Sequence, residues 1–234
     1  GIAEGNMMSV AAGLAASNKI VYASSFAMFA TGRAFEQVRN SICYPHLNVK
    51  ICGTHAGITV GEDGASHQSV EDIAIMRAIP NMKVIVPCDG KETEEVIRAI
   101  AEIDGPCYVR LGRSAVEDVH HENYHFKLGK DEVLHEGSKV ALIATGMMVQ
   151  ECLKAVEILN KEGIDPTVIN MPSIKPIDEE LIERVAKSHD VIITCEEHNM
   201  IGGLGSAVAE VVVKKCPVKM DMVAMKDTFG ESGK

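Results

Sequence analysis

A glutamate near the amino end of the sequence is the first residue whose type and position suggest chemistry. Glu4 lies in the string GIAEGNM, directly before small and apolar residues at helical spacing. Its carboxylate can cap its own helix, or it can be a buried acid that meets a basic nitrogen of a ligand. Because apolar neighbours would remove water from the carboxylate, we expect the pKa of Glu4 to be raised.

A loop rich in histidine and glycine is the second candidate. The string GTHAGITVGEDGASHQS, residues 53–69, holds two histidines, an acid pair and four glycines between a predicted strand and a predicted helix. Connections at the carboxyl ends of parallel strands form ligand crevices, and glycines let a backbone approach a ligand. His55 and His67 can donate to sugar hydroxyls or phosphate and can carry protons, and Asp63 can accept from hydroxyls. Because long loops of this composition usually carry function, a binding role is favoured over an ordinary polar loop.

One arginine and three clustered phenylalanines complete the candidate set. Arg113, in the string RLGRS, follows another predicted strand. Its forked donors suit a phosphate or a carboxylate, and a surface ion pair explains it equally well. Phe26, Phe29 and Phe35 cluster in a chain with only 4% aromatic residues. Core packing is the default interpretation of these rings, and a flat apolar slot for a planar ligand is the alternative.

Two further segments contain residues that could bind a ligand but are predicted not to do so. The string EEHNMIGGLGSAV, residues 196–208, can present backbone N–H groups to an anion, but a tight strand-to-helix turn is the favoured interpretation. His120, His121 and His125 lie in a polar stretch without a clear period. These three side chains are therefore predicted to be solvated.

Alternating helix and strand patterns must position these residues. The spacing predicts helices at 6–18, 28–42, 69–78, 92–102, 149–162, 178–188 and 205–214, and strands at 19–23, 49–53, 83–86, 107–111, 140–144, 166–170, 191–195 and 218–223. Ser69 and Asp178 are the predicted helix caps, and Arg33 is placed on the wet face of its helix. The pattern indicates an α/β protein of two domains, each a mostly parallel sheet with helices on both faces. The predicted domains are 1–116 and 128–234, joined by a linker at 117–127.

Composition excludes several classes of protein. With 23 basic and 33 acidic residues the formal charge is −10, which is the wrong balance for binding nucleic acid. No apolar run approaches the roughly 20 residues of a membrane span. The seven cysteines are odd in number and form no CxxC pair, so a disulfide framework is not expected. These features predict a protein of the reducing cytoplasm.

The motifs, taken in order, resemble the carboxyl-terminal half of transketolases, which are thiamine-diphosphate enzymes. The resemblance rests on GIAEGNM, SSFAMFATGRAFEQVR, THAGITVGEDGASHQSVED, RAIPNMKVIVPCDG and LGRS, and it covers nearly the whole chain. The length is similar to that of the second chain of split transketolases. The resemblance implies a pyrimidine-binding domain followed by a transketolase carboxyl-terminal domain.

The resemblance implies a catalytic role for Glu4. In the family, the matching glutamate bonds a ring nitrogen of the cofactor's aminopyrimidine and thereby activates the thiazolium carbon. Phe26 and Phe29 match the aromatic pocket for that ring. The family has a tyrosine where Gly32 falls here, so Phe35 or a partner residue is expected to complete the pocket.

The resemblance also implies how substrate is held. His55 and Arg113 match residues that bind the sugar phosphate, while Asp63 and His67 match residues that read hydroxyls and assist proton transfers. His67 is thus a second predicted catalytic residue. The implied reaction is that of the pentose phosphate pathway enzyme, in which a two-carbon glycolaldehyde unit moves from a ketose phosphate to an aldose phosphate.

What the sequence lacks implies a partner. The family's GDG motif, with an asparagine some 30 residues on, holds the diphosphate and its Mg²⁺ or Ca²⁺ ion, and it is absent here. No metal ligand is therefore predicted in this chain, and an amino-terminal transketolase subunit is expected to hold the ion. Homodimerisation would then give a heterotetramer. The start of the pyrimidine-binding domain is also missing, so Gly1 is expected to follow a cut or a disordered segment.

Four alternatives stay open at this stage. A 1-deoxyxylulose-5-phosphate synthase shares related elements, although the GEDGxxHQ loop favours a transketolase. The β subunits of 2-oxo acid dehydrogenases share the fold but have no use for sugar-phosphate residues. A non-catalytic assembly subunit is disfavoured by the intact candidate residues. An unrelated nucleotide-binding protein is disfavoured because a P-loop and a GxGxxG string are absent.

Overall fold

The chain forms two five-stranded β-sheets with helices packed against them. The computed structural model describes residues 2–233, so Gly1 and the prediction attached to it lie outside the described residues. The strands are β1 (Val21–Phe26), β2 (Val49–Thr54), β3 (Lys83–Ile85), β4 (Cys107–Arg110), β5 (Glu132–His135), β6 (Lys139–Ala144), β7 (Thr167–Asn170), β8 (Ser173–Lys175), β9 (His189–Asn199) and β10 (Lys219–Met225). The α-helices are α1 (Glu4–Ala16), α2 (Asp72–Ala78), α3 (Gly90–Ala101), α4 (Met148–Lys161), α5 (Glu179–Ser188) and α6 (Leu204–Lys215).

Both sheets are mostly parallel, which confirms the predicted α/β class. The first sheet has the order β1-β2-β4-β3-β8, and its only antiparallel pair among the described strands joins β3 to β8. The second sheet has the order β10-β9-β6-β7-β5, with β5 antiparallel to β7. In parallel sheets the carboxyl ends of neighbouring strands lie at one edge, and that edge is where side chains of different strands can form a site.

The strand β8 comes from the second half of the sequence but belongs to the first sheet. Val84 of β3 pairs with Lys175 of β8, and Ile85 pairs with Ser173. The Lys175 ammonium donates to the carbonyls of Arg77 and Ile79 at 2.8 and 2.6 Å. The sheet of the first half is therefore completed by a strand from the second half. The predicted domain boundaries remain a prediction.

Helix caps follow the sequence at some helices and not at others. The carboxylate of Asp178 accepts a hydrogen bond from the N–H of Leu181 at 3.1 Å, so the predicted cap of α5 is confirmed. The predicted start of a helix at Ser69 is wrong, because α2 begins at Asp72. Ser69 instead pairs with Ala56 in an isolated bridge, and its carbonyl accepts the N–H of Gly57 at 2.7 Å.

The predicted helix at 28–42 is helical but not an α-helix throughout. It contains two π-helical segments, Met28–Arg33 and Gln37–Cys43. A π-turn has more residues per turn than an α-turn, so side chains after it point in other directions than the 3.6-residue period predicts. Such turns occur often at functional sites, and this one borders the candidate site described below.

His120 is buried, so the prediction that it is solvated is wrong. Its Nδ1 lies 2.8 Å from Asp89 Oδ2 and its Nε2 lies 2.6 Å from Glu132 Oε1. Hydrogen bonds to these two carboxylates overcome the cost of burial and raise the pKa of His120 to about 10. His121 and His125 are exposed, as predicted.

The network around His120 includes three residues of the types that bind metal ions, but hydrogen bonds already occupy the carboxylate among them. Ligand atoms of Cys88, Asp89 and His120 lie within 4.8 Å of one another, all of them buried. Asp89 Oδ2, however, already accepts from the N–H groups of Val119 and His120 as well as lying against the ring. We therefore interpret this cluster as a structural hydrogen-bond network that joins the start of α3 to the segment before β5.

All seven cysteines are free in the described range, and six of them are buried. Burial raises the pKa of the Cys43 and Cys52 thiols to about 12 and about 11, which makes them poor nucleophiles at neutral pH. This agrees with their predicted role as small buried hydrophobic groups. Among the helices of residues 2–233, none is both long enough and apolar enough to cross a bilayer.

Two glycine substitutions provide a matched test of this packing. An ideal Cβ on Gly13, which is exposed in α1, meets no atom within 4 Å, whereas one on Gly53 in β2 lies 2.6 Å from the Tyr108 hydroxyl. We expect Gly13→Ala to raise the free energy of unfolding by about 0.5–1 kcal/mol, because alanine favours helix. We expect Gly53→Ala to lower it by about 2 kcal/mol through overpacking. Urea unfolding of the chain measures both, and a Gly53→Ala protein as stable as wild type would contradict the described packing.

Candidate active site

Glu4 is the first residue of α1, and its side chain is buried although it is charged. The residue is 4% exposed. Its Oε2 accepts from Arg33 Nη1 at 2.8 Å, and its Oε1 accepts from the Ser25 hydroxyl at 3.3 Å. Hydrogen bonds from its own backbone N–H and from Arg33 lower the pKa of Glu4 despite the desolvation. The prediction of a raised pKa is therefore wrong in this state of the chain, because the arginine was placed on the wet face of its helix.

The rings of Phe26 and Phe29 are half-buried and line a cavity, so the core-packing interpretation is wrong for them. Phe26 ends β1 and Phe29 lies in the first π-helical segment, with ring centroids 6.2 Å apart and planes 15° from parallel. The open cavity of about 380 Å³ is lined by Ile2, Glu4, Ser25, Phe26, Phe29, Arg33 and His67. Phe35 is not one of these residues and is 38% exposed. The cavity therefore combines a carboxylate with a flat apolar surface.

The two histidines of the loop contact the phenylalanine rings. His55, directly after β2, stacks on Phe26 with centroids 3.9 Å apart and planes 13° from parallel. His67 stands edge-on to Phe29 at 5.3 Å and 87°. The ladder explains this meeting, because the last residue of β1, Phe26, pairs with Thr54 at the end of β2. His55 has a φ of 57°, an uncommon value for a residue other than glycine that turns the chain sharply out of the strand.

Asp63 belongs to the same loop, whereas Arg113 follows β4 and reaches the loop from outside. Asp63 is exposed. Arg113 donates from Nη1 to the carbonyl of Val60, and the same atom lies 3.9 Å from Glu62 Oε2. Thus four predicted site residues, Glu4, Phe26, Phe29 and His67, line one cavity, and His55 contacts it through Phe26. Arg113 contacts the loop backbone, and its side chain is turned toward the loop in this structure.

The loop is held by a carboxylate that the sequence reasoning did not assign. Glu197 Oε1 accepts the N–H of Thr59 at 2.6 Å, and the Glu197 carbonyl accepts from buried Arg110 at 2.8 Å. Gly57 lies against the same carboxylate, where a Cβ would come within 2.2 Å of it. Glu197 follows a predicted strand in the second half of the sequence, and its place at a strand end is the only sequence signal for this role.

The last residues of the described chain also hold the loop. Gln68 Nε2 donates to the carbonyls of Ile58 and Glu231, each at 3.0 Å. The Ser232 hydroxyl donates to the carbonyl of Glu62 at 2.7 Å. The loop that carries His55, Asp63 and His67 is thus held by the carboxyl-terminal segment as well as by Glu197.

The glycine turn after β9 is structural, as predicted. Glu196 accepts the N–H groups of Leu204 and Gly205 at 2.7 and 2.9 Å, so the amino end of α6 is already occupied by a carboxylate of the chain itself. A Cβ on Gly203 would lie 2.1 Å from Glu196 Oε2, which explains the glycine. No external anion is needed to satisfy these donors.

Comparison with known proteins places the whole chain in one family. The model of the transketolase pyrimidine-binding domain matches residues 1–118, and that of the transketolase C-terminal domain matches residues 129–234. A protein of Methanocaldococcus jannaschii assigned as a transketolase C-terminal section is 54% identical over 100% of this chain and 74% of its own length. The 6-deoxy-6-sulfo-D-fructose transketolase subunit SqwH of Clostridium sp. is 45% identical, over 100% of this chain and 72% of that protein.

A solved structure shares the fold along almost the whole chain. It is a split gene transketolase in an inactive β4 tetramer, and it is 51% identical with a TM-score of 0.92. The match covers 97% of this chain and 74% of that chain. Fold and comparisons define the carboxyl-terminal half of a split transketolase-type protein, and the transketolase family depends on thiamine diphosphate. The chain belongs to the transketolase family.

Proposed function

We propose that this chain is one half of a transketolase that moves a two-carbon glycolaldehyde unit from a ketose phosphate to an aldose phosphate. The observation that carries the proposal is the single cavity lined by the Glu4 carboxylate, the Phe26 and Phe29 rings and His67. An acid beside two nearly parallel aromatic rings suits a flat nitrogenous ring, which can stack on the rings and bond the acid at once. This supports the binding of the aminopyrimidine end of thiamine diphosphate.

We assign a role to each residue that its position supports. The bound cofactor supplies a nucleophilic carbon and accepts the electrons of the bond that breaks. Glu4 holds a proton between its carboxylate and a ring nitrogen, a role suited to a carboxylate that is 4% exposed at the cavity wall. Phe26 and Phe29 hold the ring in plane and exclude water from it. His67, edge-on to Phe29 at the cavity wall, moves protons on the substrate oxygens.

We assign substrate binding to the loop and to Arg113, which contacts it. His55 and Arg113 bind the sugar phosphate, and Asp63 and His67 bind hydroxyls. Arg113 would turn from the carbonyl of Val60 to do so, a movement open to it because its side chain is 45% exposed. In a chain of net charge −10, the Arg113 cation together with the ring N–H of His55 is suited to hold a dianion.

The diphosphate and its Mg²⁺ or Ca²⁺ ion are assigned to an amino-terminal partner subunit. Among the described residues that line the cavity, Glu4 supplies the only carboxylate, and Arg33 pairs with it. That set does not offer the several oxygen ligands that such ions require. Two copies of the partner and two copies of this chain would form a heterotetramer. We also propose the cytoplasm as its compartment, because the cysteines are unpaired.

Reconstitution with the partner subunit tests the proposed function. The complex, with thiamine diphosphate and Mg²⁺, is expected to form sedoheptulose 7-phosphate from xylulose 5-phosphate and ribose 5-phosphate. Pyruvate with glyceraldehyde 3-phosphate is the comparison pair. Consumption of that pair instead would indicate the deoxyxylulose-phosphate synthase reaction, and a folded complex without either activity would indicate an assembly subunit.

Replacing Arg113 tests the phosphate contact. Because a forked cation bound to phosphate contributes to binding rather than to bond breaking, we expect Arg113→Ala to raise KM for phosphorylated donors by roughly 10–100-fold. KM for an unphosphorylated donor such as hydroxypyruvate should change less than threefold. Arg184→Ala, at an exposed arginine of α5, is the matched control. Equal changes in KM for both donors would contradict the assignment.

A further inference from the structure

Arg33 is a charged side chain at the proposed cofactor site that has no place in the roles above. Arg33 ends the first π-helical segment, and its side chain is 46% exposed. Instead of extending into water, it reaches to Glu4, where Nη1 lies 2.8 Å from Oε2. The same nitrogen lies 3.4 Å from the carbonyl of Ile2. The arginine therefore forms part of the cavity wall next to the acid.

Its guanidinium makes both contacts that the cavity offers to a flat ring. Cζ lies 4.5 Å from the centroid of the Phe29 ring, so the cationic plane covers that ring while it donates to Glu4. A guanidinium is planar and carries N–H groups along its edge, as an aminopyrimidine does. The guanidinium and an incoming ring would therefore compete for the same aromatic surface and the same carboxylate.

The pairing also has a reason in the chain without cofactor. A buried carboxylate without a partner is costly, and Arg33 supplies that partner. The hydroxyl of Ser25 is the other side chain that bonds Glu4, at the longer distance of 3.3 Å. Arg33 thus stabilises an ionised Glu4 that is not available to share a proton with a ring nitrogen.

We propose that Arg33 is an internal occupant of the ring site, and that it must leave Glu4 and Phe29 before the cofactor's ring can bind. This inference rests on the proposed function of the site. Only the fraction of molecules with Arg33 displaced is competent to bind, so the arginine lowers the apparent affinity for the cofactor by that fraction. Arg33 acts on Glu4 and has no contact with substrate in this account, so it is a positioning residue.

The test compares Arg33→Met with Arg39→Met in the complex with the amino-terminal subunit. Methionine keeps much of the side-chain length but removes the guanidinium. Arg39 is an exposed arginine of the second π-helical segment that bonds its neighbour Asn40. Titration calorimetry with thiamine diphosphate and Mg²⁺ should give roughly tenfold tighter binding for Arg33→Met and a change below twofold for Arg39→Met.

A second readout uses the chain alone and does not depend on activity. The carboxyl of Glu4, followed by NMR with ¹³C-labelled glutamate, should titrate at higher pH in Arg33→Met than in wild type, because a cationic partner has been removed. Arg33→Lys, which keeps the charge without the planar fork, should keep the low titration and still bind the cofactor more tightly. It also serves if the methionine variant does not fold.

The outcomes separate this inference from the proposed function. Cofactor binding that is normal in wild type and unchanged or weaker in both Arg33 variants would overturn the inference and leave the proposed function standing. A wild-type complex that binds no thiamine diphosphate would overturn the proposed function, and this inference with it. A merely structural role for Arg33 predicts weaker binding, the opposite of the expected direction.

Discussion

Replacing Glu4 with glutamine should lower glycolaldehyde transfer by the reconstituted enzyme about 10³-fold, in the range of other proton-transfer groups. Glutamine fills the same space and can still bond Ser25, but it cannot hold a proton for a ring nitrogen. The carboxylate is buried in the first turn of α1, so water does not readily take over its role. Initial rates with xylulose 5-phosphate and ribose 5-phosphate measure the effect, which should fall on kcat more than on KM.

Glu157→Gln is the matched control, because this glutamate is exposed on α4. It should leave the rate within twofold of wild type. Circular dichroism and gel filtration show whether the Glu4→Gln chain folds and assembles. A correctly assembled Glu4→Gln complex with more than a tenth of the wild-type rate would refute the proposed role of Glu4.

Replacing His120 with alanine should cost about 3 kcal/mol of unfolding free energy, the scale expected when one partner of a buried charged pair is removed. For a chain of this length that corresponds to a fall of roughly 6–12 °C in melting temperature. The ring lies between Asp89 and Glu132, and its loss leaves both carboxylates without the cation. His121→Ala, one residue away and exposed, should change the melting temperature by less than 2 °C or so.

The effect of His120 should depend on pH in one direction. Its pKa is raised from 6.5 to about 10 in the folded chain, so the protonated ring stabilises the fold fully below about pH 6.5. This contribution is lost as the pH rises through 10. The difference in unfolding free energy between wild type and His120→Ala, measured in urea, should therefore shrink from pH 7 to pH 10. A difference that stays constant over this range would contradict an imidazolium at this position.

Much of the candidate site was predictable because it depends on where parallel strands end. Phe26 ends β1 and His55 directly follows β2, and these strands pair in register, so the contact between the two rings follows from the topology. The cap of α5 at Asp178 is a local feature of a few residues, and local features are readable from sequence. The motifs around Glu4 and in the histidine loop were specific enough to identify the family from the sequence.

The errors arose where a contact depends on a distant element or on an altered helical period. The π-helical segment turns Arg33 toward the cavity, whereas the 3.6-residue period placed it in water. His120 is buried by Asp89 and Glu132, which precede and follow it in sequence and meet it only in the fold. The strands β5 and β8, which the sequence pattern did not predict, are short strands that each pair antiparallel with a strand from a distant segment.

The position of strand β8 restricts how the gene of this protein can be divided or recombined. The first sheet borrows its outer strand from the second half of the chain, where Ser173 and Lys175 pair with β3. A gene fragment that ended after the first family domain would encode a sheet in which β3 is an unpaired edge strand. Its free N–H and C=O groups could then pair with other chains and cause aggregation. Recombination that exchanged one domain for that of a relative would have to match this strand as well. The two domains are therefore expected to be inherited together as one unit.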